Sequence, residues 1–206
     1  MNRFEDEILY NNKDYLLKPK EIHKKVFDLI SSFSGLNKFK SILDVGCANG
    51  NFLHYLKSNI APSHQIELFG VDIHQNLLDI AKKQLPDCRF FCTSVNDLSN
   101  KVGEFELITC LGVMSIFDNF SEPLHKMYNI LHPGGKLIIT TEFNNHPIDV
   151  IVRYRNALND NDFQNGWNIF SKVSVEKAVS DLQGANLEWI DFKMPFSIKK
   201  TYDPMR

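Results

Sequence analysis

Short apolar or β-branched runs alternate along the chain with stretches in which apolar residues recur every three or four positions. The runs at residues 41–46, 66–72, 89–93, 105–111 and 136–141 read as buried strands. Between the second and third, Leu77, Leu78, Ala81 and Leu85 form a helical stripe that Pro86 closes. Between the fourth and fifth, Ser121 is placed to cap a helix with Glu122 and Pro123 in its first turn and Leu124, Met127 and Ile130 or Leu131 on its inner face. Pro133-Gly134-Gly135 stops it. Strands joined by helices need right-handed crossovers, so the pattern predicts an α/β fold: a doubly wound, mostly parallel sheet with helices on both faces.

One domain is expected, in four parts. Residues 1–35 supply an arm, with Tyr10 and Tyr15 as its anchors, and a helix bearing Ile22, Val26, Leu29, Ile30 and Phe33 that ends at Gly35. Residues 40–141 carry the alternating core. Residues 142–173 are an insertion with a helix from 147 to 158 and a polar loop over 159–168. Residues 174–206 resume with a helix over 174–182, a stop at Gly184 and a last strand over 187–194. A strand beyond that one has too little chain left, which leads us to expect that the natural protein continues past Arg206 or that another chain, as in a homodimer, fills the gap.

The 206 residues and 43% hydrophobic content suit one full core, and a formal charge of -2 argues against a nucleic-acid face. The charged opening MNRFEDEILY does not resemble a signal peptide, and the longest nearly apolar run, 107–117, is too short for a membrane span. A cytoplasmic protein without membrane or nucleic-acid partners is expected. Cys47, Cys88, Cys92 and Cys110 form no CxxC pair and sit in or beside apolar segments, so neither a metal site nor a disulfide framework is expected.

The first strand runs into Asp44-Val45-Gly46-Cys47-Ala48-Asn49-Gly50, and the second ends in Asp72. Small residues at a strand-to-helix turn let backbone approach a ligand, and an acid ending the second strand is placed to accept ribose hydroxyls. A dinucleotide site expects G-x-G-x-x-G. Here the spacing is G-x-x-x-G with a carboxylate two residues ahead, which suits an ammonium group better than a pyrophosphate.

Through these residues, with Gly70-Val71-Asp72-Ile73, Phe105-Glu106-Leu107-Ile108 and Leu131-His132-Pro133-Gly134-Gly135-Lys136-Leu137, the chain resembles the class I, Rossmann-like S-adenosylmethionine-dependent methyltransferases over about residues 40–141. The resemblance implies S-adenosyl-L-methionine as cofactor and S-adenosyl-L-homocysteine as product. It places Asp44, Gly46, Cys47 and Gly50 around the methionine part, Asp72 on the ribose, Ile73 against the adenine, and Leu111 and Gly112 on the far side of the methionine moiety. The family's acid for the adenine amino group is replaced here by Ser94, followed by Val95, with Asp97 near enough to serve. A histidine common a few residues after the fourth strand is Ile116 here.

Methyl transfer from a sulfonium needs chiefly a well-placed nucleophile, and a base helps when that nucleophile is a hydroxyl. His146, with Glu142 near it, is the candidate base; His54, His125 and His132 read as surface or capping residues. In the insertion, Arg153 or Arg155 would select an anionic group on the acceptor, and Trp167 would be a lid or a packing anchor, while Tyr10 or Tyr15 of the arm would close over the site as substrate-binding residues. The chain lacks the Pro-Pro-aromatic motif of DNA amino-methyltransferases and the Pro-Cys nucleophile of cytosine-C5 enzymes, which leaves a small-molecule acceptor, with oxygen the commonest in the family. The competing readings are a nicotinamide-dependent oxidoreductase and a methyltransferase-like binding module without turnover.

Overall fold

A computed structural model describes residues 19–33, 38–61, 63, 65–155, 157, 158 and 162–197. Five strands, β1 (Ser41–Val45), β2 (Glu67–Asp72), β3 (Arg89–Cys92), β4 (Phe105–Leu111) and β5 (Leu131–Thr140), form one sheet in the order β3-β2-β1-β4-β5. Every pairing in it is parallel. The winding of the chain across the sheet reverses between β1 and β4, and in such sheets the ligand crevice opens at that switch point, beyond the carboxyl ends of the strands.

Helices α1 (Glu21–Ser32), α2 (Asn51–Asn59) and α3 (Gln75–Gln84) pack on one face, and α4 (Ser121–Tyr128) and α5 (Lys172–Ser180) on the other. Alternation along the strands divides the core. Ile42, Leu68 and Leu107 face α1 to α3, while Leu43, Phe69 and Ile108 face α4 and α5. The α/β class, the parallel sheet and helices on both faces are as the sequence predicts.

Four local expectations are corrected. Asn119, not Ser121, caps α4, its Oδ1 accepting the Glu122 N–H at 2.9 Å, and β5 begins at Leu131, ahead of the Pro-Gly-Gly turn. The helix expected over 147–158 does not form. Asn144 Oδ1 accepts the His146 N–H at 3.0 Å and its amide donates to the Ile148 carbonyl at 2.9 Å, a local alternative to helical bonding. The β-branched run Val150-Ile151-Val152 then stays extended: Val150 bridges Ile169, and β7 (Arg153–Tyr154) pairs with β8 (Gln164–Asn165). Finally, residues 187–194 join no sheet among the described residues. Trp189 holds this segment elsewhere: its ring meets Phe143 edge-on at 4.9 Å and its Nε1–H donates to Glu176 on α5 at 3.1 Å.

The remaining short strands, β6 (Phe143–Asn144) and β9 (Phe170–Ser171), pair in parallel and bring α5 back against the sheet. Burial alone would raise the Asp149 pKa, but the Ser171 N–H and the Ser174 hydroxyl, donating at 2.6 and 2.7 Å, outweigh it and hold the carboxyl below its usual range. With Ser171 Oγ accepting the Ser174 N–H, this fixes the start of α5.

Candidate functional site

The crevice is built where β1 and β2 end. Gly46 and Cys47 both donate their N–H groups to the Val71 carbonyl, at 2.8 and 3.0 Å, so the turn leaving β1 is tied to the second strand. Gly46 has φ +74°, and a Cβ there would lie 2.2 Å from Val113 Cγ2, in the loop after β4. No other residue fits so closely between two strand ends. Ala48 also adopts a positive φ, of 48°, and Gly50, at φ +82°, opens α2 against Ala81 and Leu85 of the α3 region.

Asp44 is 3% exposed. Thr109 of β4 donates its hydroxyl to Asp44 Oδ1 at 2.8 Å. Burial pushes the carboxyl from 3.8 up to about 7; the Thr109 bond opposes that rise, the Asp72 charge adds to it, and the Lys20 charge opposes it. Asp72, 9% exposed, is held differently. Its Oδ2 accepts the Ala48 N–H at 2.8 Å, and its Oδ1 accepts the His74 N–H at 2.9 Å and lies 3.0 Å from His74 Nδ1. Two buried acids therefore lie at the ends of adjacent strands, and the charge of Asp72 acts on Asp44. Between them the Cys47 thiol is pushed well up by burial and by both acids, so it packs as a neutral group.

Ile73, next to Asp72, is 41% exposed, an apolar surface left beside the crevice. Ser94 donates its hydroxyl to Asp97 Oδ2 at 2.9 Å, while Val95 turns into the core. Leu111 is half-buried and Gly112, at φ +80°, has open space about it. These positions flank the same strand ends, as do Asp44, Gly46, Cys47, Gly50 and Asp72.

The insertion is stitched to the loop after β4. Asn168, buried, accepts the Val152 N–H on its Oδ1 at 2.8 Å and donates its amide to the Phe117 carbonyl at 2.6 Å. Its backbone N–H reaches Ser115 at 2.7 Å. Arg153 is engaged with Asp118 of that loop, and Arg155 lies over the Phe163 ring at 5.2 Å. Trp167 is half-buried; His146 and Glu142 are exposed. Tyr10 and Tyr15 lie outside the described residues. Of the other histidines, His54 is exposed on α2 and His132 Nδ1 lies 3.0 Å from the Pro133 carbonyl.

Four residues of this architecture escape a reading of the sequence. Thr109 leaves a trace as a polar residue inside the apolar run Leu107-Ile108-Thr109-Cys110-Leu111. Ala48, His74 and Asn168 leave none, because their roles are set by backbone donors and contacts that only folding creates. No group of His, Cys, Asp and Glu among the described residues could hold a metal ion. No helix of the described residues is long and apolar enough to cross a membrane.

Comparison with known proteins agrees with the resemblance read in the sequence. Residues 42–135 match the family described as "Methyltransferase domain". A ubiquinone biosynthesis O-methyltransferase of Coxiella burnetii is 31% identical over 111 residues, 50% of this chain and 44% of that protein. A tRNA N(3)-methylcytidine methyltransferase of Schizosaccharomyces pombe is 29% identical over 126 residues, 55% of this chain and 39% of that one. The chain thus spans less than half the length of these curated relatives. Among solved structures, the amino pentose methyltransferase CalS10 of Micromonospora echinaspora, SAM-bound, superposes with TM-score 0.57 at 17% identity over 88% of both chains. The O-methyltransferase of a trans-AT PKS multienzyme of Brevibacillus brevis, in complex with S-adenosyl-L-homocysteine, gives 0.61 at 11% identity over 76% of this chain and 50% of that one.

Proposed function

We propose, on the premise that residues 42–135 form a Rossmann-like methyltransferase domain of the S-adenosylmethionine-dependent kind, that the chain transfers a methyl group to a small-molecule oxygen. The observation that carries this reading is the pair of buried carboxylates at the ends of β1 and β2. Asp44 is a deeply buried acid that is costly to ionise alone; the α-ammonium of S-adenosylmethionine would supply the opposite charge. Asp72, held by Ala48 and His74, presents its carboxylate to a ribose diol.

The rest of the crevice fits the same ligand. Gly46, Cys47 and Gly50 bring backbone, not side chains, against the methionine moiety, and Leu111 and Gly112 close it from the β4 side. Ile73 offers the adenine an apolar face. The Ser94 hydroxyl is turned to Asp97, which leaves the Asp97 carboxylate at the adenine rim, while Val95 packs in the core behind it. On the acceptor side, His146 is the group available to take a hydroxyl proton, and in-line attack on the methyl carbon then requires mainly that Trp167, Arg153 and the loop after β4 hold the acceptor close. Oxygen is favoured by the O-methyltransferase relative above.

Isothermal titration of the chain with S-adenosyl-L-homocysteine tests the cofactor half. Binding in the low micromolar range, about 7 to 8 kcal/mol, is expected, and absence of binding at millimolar ligand overturns the proposal. Transfer of label from methyl-labelled S-adenosylmethionine to a panel of hydroxyl and amine metabolites tests the acceptor half; label on amines alone overturns the oxygen assignment.

A further inference from the structure

Asp72 has fewer acceptor positions open than a ribose diol requires. A carboxylate offers about four lone-pair positions, two on each oxygen. Both positions of Oδ1 are taken by one residue, His74, through its backbone N–H at 2.9 Å and its Nδ1 at 3.0 Å; Oδ2 holds the Ala48 N–H at 2.8 Å and keeps one position. A vicinal diol that bridges the two oxygens needs one position on each. One donor must therefore leave Oδ1, and the backbone donor cannot, because His74 is the residue from which α3 starts.

The imidazole can. Its side chain is only 9% exposed, yet Nε2 is buried without a partner among the described residues, so the ring keeps its contact with Asp72 while an ordinary polar need of its own goes unmet. Releasing Nδ1 from Asp72 costs the ring one hydrogen bond, since Nε2 has no partner among the described residues to lose. We propose that the His74 imidazole is a displaceable stand-in for one ribose hydroxyl: it occupies Asp72 Oδ1 when no nucleoside is bound and yields that position to the diol. On this account the ring fills the acceptor position on Oδ1 that the two backbone donors leave open, and it weakens every nucleoside by the contact that must first be broken. The proposal rests on the ribose role of Asp72 and deepens it, by naming the residue that sets how much the diol gains there.

The test is calorimetry with S-adenosyl-L-homocysteine and its 2′-deoxy and 3′-deoxy analogues, on the wild type, His74→Ala and His74→Phe. Both variants retain the backbone N–H and lose the ring donor. Expected are binding of the parent ligand tighter by about three- to tenfold in both variants, and a larger penalty for a missing hydroxyl than in the wild type, where the ring can return to the vacated position. Binding that is unchanged or weaker in both variants, with discrimination between diol and deoxy ligands as in the wild type, overturns the stand-in role. A wild type that binds none of the three ligands overturns instead the reading of the site as a nucleoside crevice. Should both variants fail to fold, nitrogen-15 spectra of the wild-type histidines decide: saturation with S-adenosyl-L-homocysteine must remove the Nδ1 hydrogen-bond signature of His74, and its persistence refutes displacement.

Discussion

Replacing Asp44 by Asn separates the stability of the empty chain from its affinity for a cationic ligand. The carboxyl rises from 3.8 to about 7 in the folded protein, chiefly through burial. Because the folded value lies above the unfolded one, the native state holds its proton longer than the unfolded state does. Stability from this group is therefore greatest below pH 3.8 and is lost as pH climbs to about 7. At roughly 1.4 kcal/mol for each pKa unit, the loss totals about 4 kcal/mol, a large part of what a domain this size commands. The amide that Asp44→Asn introduces still accepts the Thr109 hydroxyl and carries no charge to desolvate. Urea unfolding of the ligand-free chain at pH 5 and pH 8 should show the wild type losing about 2 to 3 kcal/mol more than the variant over that interval. Calorimetry at pH 8 should meanwhile show Asp44→Asn binding S-adenosyl-L-homocysteine at least about tenfold more weakly, the trade of activity for stability expected where a charge is buried for function. Parallel pH profiles for the two proteins, or equal affinities, would refute the reasoning.

Asp72→Ala removes the acceptor for the ribose and should weaken the same ligand by about 2 to 4 kcal/mol; equal binding by calorimetry sinks the ribose assignment. Gly46→Ala and Gly112→Ala form a matched pair, since both sites have positive φ but only the first Cβ would meet Val113, at 2.2 Å. Chemical denaturation should find the first about 2 to 4 kcal/mol destabilised and the second about 1 to 2, and a reversed order would contradict the packing described. Asn168→Ala strips two buried partners from the insertion, so unfolding should cost about 2 to 4 kcal/mol less and limited proteolysis should open the segment after β5 first, with S-adenosyl-L-homocysteine binding retained. Protection of that segment equal to wild type would show that Asn168 does not fasten it.

What the sequence displays depends on whether the deciding force is local. The strands of the main sheet are apolar runs closed by polar or turn residues, and both crevice acids stand out, Asp72 because it ends such a run and Asp44 because it interrupts one just before the turn. The segment after His146 misleads because its apolar spacing fits a helix, whereas Asn144 and three consecutive β-branched residues settle it as extended chain. Residues 187–194 alternate as a strand should, but strand pairing needs a partner, and Trp189 is claimed by Phe143 and Glu176 instead. His74 and Thr109 belong to the site only through Asp72 and Asp44, partners fixed once β1, β2 and β4 lie side by side.

An all-parallel sheet also sets the order in which the molecule can become competent. No strand of the five meets its neighbour through a tight turn; each pairing waits for a crossover, and the Asp44–Thr109 contact closes a separation of 65 residues. Such closures are slow because chain entropy is spent before the contact returns anything. A nascent chain that has finished β2 and α3 already holds both acids, yet it lacks the wall supplied by Val113 and the hydroxyl that donates to Asp44. During synthesis the crevice therefore comes into being late, with the docking of β4, and a ligand that binds there would favour folding by holding that strand in place.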